Sequence, residues 1–172
     1  MALEKLKKQI LLKKFKKELN LYTETRTLNS KEIHSVAILT NDELFEAIDI
    51  AEQVKNGLKP VRNVQVYSFR KYNKATPQSF KHFTDKDIDW NGKVKEVSLE
   101  SFLDNPFDLL IGYFDTPNLY LEYCALKSKA TFKIGFANVN DEIFDLVVSE
   151  DPKNIDSFIK VIQQYLEVLK KI

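Results

Sequence analysis

The first twenty residues alternate apolar and charged side chains at helical spacing, but their apolar positions fall on two faces. Leu, Lys, Glu and Gln dominate residues 2–20, with neither Gly nor Pro, which predicts a helix. At about 100° per residue, Leu3, Leu6 and Ile10 share one side while Leu12, Phe15 and Leu19 share nearly the opposite side. A helix lying in a membrane interface needs a single apolar face. This pattern instead predicts contact with two surfaces, or a break near Leu11.

Beyond a polar stretch the pattern changes to short apolar runs alternating with amphipathic ones. Ser35 to Leu39 is almost wholly apolar, as a central strand covered on both faces would be. Thr40 and Glu43 have capping-box spacing and predict a helix through Leu44, Ile48, Ala51 and Val54, ending near Gly57. Val64, Val66 and Ser68 alternate with more polar neighbours and predict a second strand. Residues 70–82 read as loop with room for a short strand. Ser98 is placed to cap a short helix running to Leu103, and Phe107 to Phe114 predicts a third strong strand. Asp115-Thr116-Pro117 predicts a helix start with Pro at the first helical position. Thr131 to Phe136 and Ile143 to Val148 predict two more strands, and Asp151-Pro152 opens a last helix striped by Ile155, Phe158, Ile159, Ile162, Tyr165, Leu166 and Leu169. Strands alternating with helices predict an α/β fold: a Rossmann-like three-layer sandwich with a mostly parallel sheet, preceded by a basic N-terminal helix. The expected division is a basic helical extension over 1–21, a connector over 22–32 and a single α/β domain over 33–172. Removing residues 1–21 is then expected to leave that domain folded.

Composition narrows the function classes. The 172 residues fit one domain, and 44% apolar with 30% charged residues is ordinary for a globular chain. The longest aliphatic runs are far short of the roughly 20 residues needed to span a membrane. No apolar stretch or cleavage site follows the lysines, so no secretory signal is expected. Cys124 is the one cysteine, which suits a reducing cytoplasm. The net charge of +1 hides segregation. Residues 1–31 carry nine basic and three acidic groups, 32–52 six acids and no Lys or Arg, and 53–84 seven bases and no acid. Such blocks make local fields even when the total is small.

Open α/β sheets bind ligands at the C-terminal ends of their strands. That edge is expected to present Thr40 and Asn41, then Arg70 and Lys71, then Asp115 and Thr116, and finally Asn138, Asn140 and Ser149. The loop after the first strand, Thr40-Asn41-Asp42-Glu43, has no glycine and sets acids where a phosphate would sit, so no nucleotide cofactor is expected there. His34, His82 and Cys124 are too few and scattered for a zinc site. His34 reads as a strand-edge residue and Cys124 as a small core residue, though a Cys–His nucleophile pair stays open. Asp87-Ile88-Asp89-Trp90-Asn91-Gly92 matches the first half of a calcium loop. Position twelve of that register is Ser98, and starting at Asp85 puts Trp90 at the glycine position, so each register fails once. The competing reading is a turn closed by Asn91-Gly92 with Trp90 as an aromatic anchor.

The acid-free block interleaves rings and cations: Tyr67, Phe69, Arg70, Lys71, Tyr72, Lys74, Phe80, Lys81, His82 and Phe83. With Lys13, Lys14 and Lys17 among the seven lysines of residues 5–17, it forms a basic and aromatic surface of the kind that single-stranded RNA or a ribosome favours. An anionic membrane, or a plain solvated face, fits the same residues.

Several segments carry a resemblance. Phe83-Thr84-Asp85-Lys86-Asp87-Ile88-Asp89-Trp90-Asn91-Gly92-Lys93, Pro106-Phe107-Asp108-Leu109-Leu110-Ile111 and Ala125-Leu126-Lys127-Ser128-Lys129-Ala130-Thr131-Phe132-Lys133-Ile134-Gly135 resemble a family of short bacterial proteins known only as a domain of unknown function. The resemblance implies a fold and no activity. The Asp-led apolar strand, its following helix and the strand Lys133 to Phe136 are also similar to the N-terminal half of heptosyltransferase-type glycosyltransferases. That likeness implies a scaffold without the second domain that holds the activated sugar. No residue set commits to a reaction. The leading reading is a non-catalytic adaptor docking on a protein partner through its N-terminal helix. A sugar- or nucleotide-ligand domain built on Thr40, Asn41, Asp115, Thr116 and Asn118, and an RNA-associated protein, are the alternatives. Oligomeric state is left open.

Overall fold

A computed structural model describes every residue except Ser30, Gln78 and Phe80. Six strands form one sheet: β1 (Ser35–Asn41), β2 (Asn63–Phe69), β3 (His82–Phe83), β4 (Leu109–Tyr113), β5 (Phe132–Phe136) and β6 (Leu146–Val148). Their order is β3-β2-β1-β4-β5-β6, and every neighbouring pair is parallel. The chain winds one way from β1 to β3 and the other way from β4 to β6, so the order reverses beside β1. The α/β sandwich predicted from the apolar runs is the fold.

Helices cover both faces. Alternation along β1 sends Ala37 and Leu39 into one apolar cluster and Val36 and Ile38 into the other, all four fully buried. The first cluster is closed by α1 (Ala2–Thr25), α4 (Val97–Asp104) and α5 (Leu119–Lys127). The second is closed by α2 (Asp42–Ala47), α3 (Ile50–Gly57) and α6 (Ile155–Val168). Gly112 and Gly135 face each other across β4 and β5, and the Phe144 ring lies over both. A Cβ at Gly135 would come within 2.5 Å of that ring, so bare backbone is what lets it pack there.

Helix starts differ from the sequence expectation in a consistent way. Thr40 does not cap: it is buried as the sixth residue of β1 and its hydroxyl donates to the Tyr113 carbonyl at 2.8 Å. Asn41 caps α2 instead, accepting from the Leu44 amide. Asn118, not the Asp115-Thr116-Pro117 run, caps α5 by accepting from the Tyr120 and Leu121 amides. Asn154, not Asp151, caps α6, and Glu96, not Ser98, caps α4. The one helix expected over Leu44 to Val54 is two, because Ile48 is extended and Asp49 restarts the spiral by accepting from the Glu52 amide. A 3-10 turn over Asp141–Ile143 delays the last strand to Leu146. Tyr165 and Leu169, expected in the apolar stripe of α6, are about half exposed.

The N-terminal helix is unbroken and reaches Thr25. Leu11, Phe15 and Leu19 are buried, at one-turn spacing, in the same cluster as Tyr123 of α5. Phe15 thus joins Leu11, rather than Leu12, on the inner side. Because this side of α1 is core, deleting residues 1–21 would strip the body of part of its interior. Among the described residues no helix is long and apolar enough to cross a membrane.

The opposite end of the sheet is pinned by one carboxylate. Asp108 Oδ2 accepts from the His34 and Ser35 amides and the Ser35 hydroxyl, while Lys31 Nζ stands 2.7 Å from Oδ1. Burial acts to raise this carboxyl's pKa, but the donors outweigh it and hold it at about 2. A folded-state pKa below the ordinary value near 3.8 means that the stabilisation is complete above that pH and is lost as pH falls toward 2. The gap corresponds to about 2 kcal/mol. Asp108→Asn is expected to lose about that much at pH 7 in urea denaturation, and to lack the share of acid destabilisation that wild type shows as pH falls from 3.8 toward 2. Equal stability of the two proteins at pH 7 would contradict the assignment.

Candidate functional site

The strand order reverses between β1 and β4, and an open crevice lies at the C-terminal ends of the strands there. Asn41 and Asp42 enter it from β1 and α2, Arg70 and Lys71 from the end of β2, and Thr116 and Asn118 from the loop before α5. Four of the predicted edge residues, Asn41, Arg70, Lys71 and Thr116, are therefore brought together, with Asn118 of the alternative ligand crevice beside them. Thr40 is not among them, since it is sealed inside the sheet. Asp115 stands next to Thr116 without lining the crevice.

A neighbouring hollow shares Phe69, Lys71, Pro117 and Asn118 with this crevice and adds Lys5 and Lys8 from the first turns of α1. The sequence pattern could not have shown that these lysines meet Lys71, because the docking angle of α1 decides it. The rim is mixed in sign, since Glu4, Asp42, Glu43 and Asp85 alternate with the cations. Arg70 is partly committed, donating to the Pro77 carbonyl.

Behind the crevice sits a polar cluster that no spacing along the chain foretells. His82 Nδ1 is hydrogen-bonded to the Ser68 hydroxyl and lies 3.5 Å from Asp42 Oδ1, with the Phe45 ring edge-on to the imidazole. Desolvation pulls the His82 pKa below its ordinary value, Arg70 adds to this, and Asp42 and Glu46 oppose it. A proton relay from serine through histidine to aspartate needs the two oxygens on opposite ring nitrogens. Here both address Nδ1, and Ser68 is wholly buried. The arrangement ties β2, β3 and α2 together and leaves no nucleophile facing solvent.

The remaining candidates separate. Tyr67 is buried, its hydroxyl on Ser98 at 2.6 Å; Phe83 is buried; and Phe69 stacks on Tyr120 at 5.5 Å. Of the rings in the basic block, Tyr72 is the exposed one among the described residues, and Lys86 rather than a base lies over it. Phe80 is outside the described residues. Lys71, Lys74 and Lys81 are exposed, with Lys81 on the far side of β2 from the crevice. Lys13 and Lys17 are exposed on α1, and Lys14 pairs with Glu18 at 3.6 Å. The half calcium loop is a turn: Asp89 Oδ1 accepts from the Asn91 and Lys93 amides, and Gly92 takes a φ of 75°. Trp90 is 46% exposed and is not a buried anchor for that turn. Cys124 is fully buried, and burial pushes its thiol far above the ordinary range, which removes it as a nucleophile. Among the described residues no three acids, histidines or cysteines cluster as a metal site would require.

The chain is matched over residues 7–169 by the model of the DUF6913 family, a family of unknown function. The chain belongs to that family. The match includes α1 from Lys7 onward. No curated protein and no solved structure matches the chain.

Proposed function

We propose that the chain is a non-catalytic interaction module that docks on an acidic partner protein through the outward face of α1. The observation that carries this reading is the two-sidedness of that helix. Its inner side is core, yet Leu3 and Leu6 remain 63% and 52% exposed on the outer side. Helical spacing sets Lys13 and Lys17 on that same outer side. An apolar pair continued by cations suits a surface with a small apolar patch and acidic groups beside it. The adaptor reading of the sequence is thus narrowed to one face of one helix.

Point substitutions test it without disturbing the interior. Affinity capture from the native cell is run with wild type and with the double variant Leu6→Glu, Lys17→Glu. The expected result is a partner recovered with wild type and lost with the variant, at an unchanged melting temperature. Equal recovery from both proteins contradicts the reading.

A second reading rests on the crevice, where Arg70, Lys71, Asn41 and Asn118 converge at the reversal of strand order. It takes a small anionic ligand such as a sugar phosphate. It predicts a rise in melting temperature across a panel of phosphorylated sugars that Lys71→Glu abolishes. A flat response across the panel removes it.

A further inference from the structure

The turn that follows Ile88 is fastened against α1. Ile88 and Val94 bridge antiparallel, the Asp89 amide donates to the Lys93 carbonyl, and the Gly92 carbonyl accepts from the Tyr123 hydroxyl at 3.1 Å. Gly92 also lies close to α1, since a Cβ there would come within 3.2 Å of the Lys14 Cδ. Trp90, the one tryptophan of the chain, stands on this turn and is 46% exposed. A half-exposed indole adds less to folding than a buried one, whereas at an interface the same ring brings a large contact area.

Beside Trp90 is a hollow of about 90 Å³, lined by Lys7 from α1 and by Lys95 from the chain just beyond the turn. That is well below the roughly 300 Å³ at which pockets for small molecules begin, so it takes the end of one side chain. Its formal charges cancel, Lys7, Lys86 and Lys95 against Glu4, Asp85 and Asp89, but the acids are already engaged. Glu4 pairs with Lys86 at 3.4 Å, Asp85 accepts from the Tyr72 amide at 3.0 Å, and Asp89 Oδ1 accepts from the Asn91 and Lys93 amides. Among the described residues neither Lys7 nor Lys95 is in an ion pair. Around the hollow the field is basic, because residues 1–17 carry seven lysines against Glu4.

We infer that this hollow anchors an acidic segment of a partner protein, one carboxylate entering between Lys7 and Lys95 while an adjacent apolar side chain lies on Trp90. The inference rests on the docking reading proposed above and names what the partner brings to it. Leu3 precedes Lys7 by one turn of α1, so the exposed leucines of the outward face continue into the rim of the hollow. Two uncommitted ammonium groups beside an uncovered ring fit an anionic and apolar pair of side chains. A membrane would meet a flat apolar face, and a recess with cations in its walls suits a protruding side chain instead.

Trp90 is its own reporter, being the one indole present. Its emission is followed while the full chain is titrated with a synthetic peptide of alternating Glu and Leu, and separately with phosphatidylserine vesicles. The peptide is expected to shift wild-type emission to the blue. The double variant Lys7→Glu, Lys95→Glu is expected to bind it about tenfold more weakly or worse, at an unchanged melting temperature. No shift with the peptide overturns the inference, and a shift with vesicles alone assigns the surface to a membrane instead. A shift that Lys7→Glu, Lys95→Glu leaves in place and Leu6→Glu, Lys17→Glu removes overturns the hollow but keeps the docking face. Loss with Lys7→Glu, Lys95→Glu alone keeps the hollow and counts against the outward face.

Discussion

Phe15→Ala is expected to lower the unfolding free energy by about 3–5 kcal/mol, the range for emptying a buried aromatic site. The ring is 3% exposed and sits 6.5 Å, centroid to centroid, from Tyr123, between Leu11 and Leu19 of the same stripe. Tyr123 is itself fully buried, and its hydroxyl reaches the Gly92 carbonyl and Glu18. Removing the Phe15 ring thus opens a void against α5 and loosens the turn that Tyr123 clips. Leu6→Ala on the same helix is the control. Half-exposed, it is expected within about 0.5 kcal/mol of wild type. Denaturant titration of the two variants measures the contrast, and a Phe15→Ala loss as small as that of Leu6→Ala would mean that α1 is not part of the core.

The second large effect concerns pH. Lys133 is 2% exposed in β5, with Nζ 2.8 Å from the Ala125 carbonyl and 3.1 Å from that of Leu126, at the C-terminal end of α5. The Tyr22 ring of α1 covers it at 4.6 Å. Desolvation pulls its pKa down to about 7; Asp145 opposes this and Arg26 assists it. Between pH 7 and 10.5 the unfolded chain then binds more protons at this site than the folded one, so stability rises with pH across that window and levels off below pH 7, where both states carry the proton. Relative to Lys133→Met, which has no such site, wild type is expected to gain on the order of 3 kcal/mol between neutrality and pH 10. Urea titrations of both proteins at the two pH values check this. Parallel pH profiles would show instead that the two carbonyls and the Tyr22 ring keep the ammonium charged throughout.

The fold was legible where burial alone determines structure. The unbroken apolar run at Val36 to Leu39 suits a strand covered on both faces, and the stripe from Ile155 to Leu166 a docked helix. Helix starts were less legible, because several residues near each start can accept a hydrogen bond. Thr40 and Asn41 are both plausible caps in sequence, and the pairing of Thr40 with Tyr113 across the sheet decides between them. The pattern after β1 predicts one long helix for a related reason: Asp49 continues an acidic, helix-compatible run yet restarts the spiral.

The candidate site was legible as an edge and not as a geometry. Asn41, Arg70, Lys71, Thr116 and Asn118 follow from the rule that loops after parallel strands gather at one end. The cluster of Asp42, Ser68 and His82 joins three separate segments through the pairing of β3 with β2, and a two-residue strand carries too little pattern to be foreseen. The two faces of α1 were visible in its periodicity. Which face turns inward was not, because Leu11 and Leu12 are interchangeable in composition and only the fit against Tyr123 separates them.

Hydrogen exchange along α1 probes the two-sided helix most directly. Amides from Leu11 to Leu19 are expected to exchange as slowly as those of β1 and β4, opening only with the whole body. Exchange at the rate of an isolated helix, with β1 and β4 still protected, would show α1 swinging free and would remove the fixed outward face on which the docking reading depends.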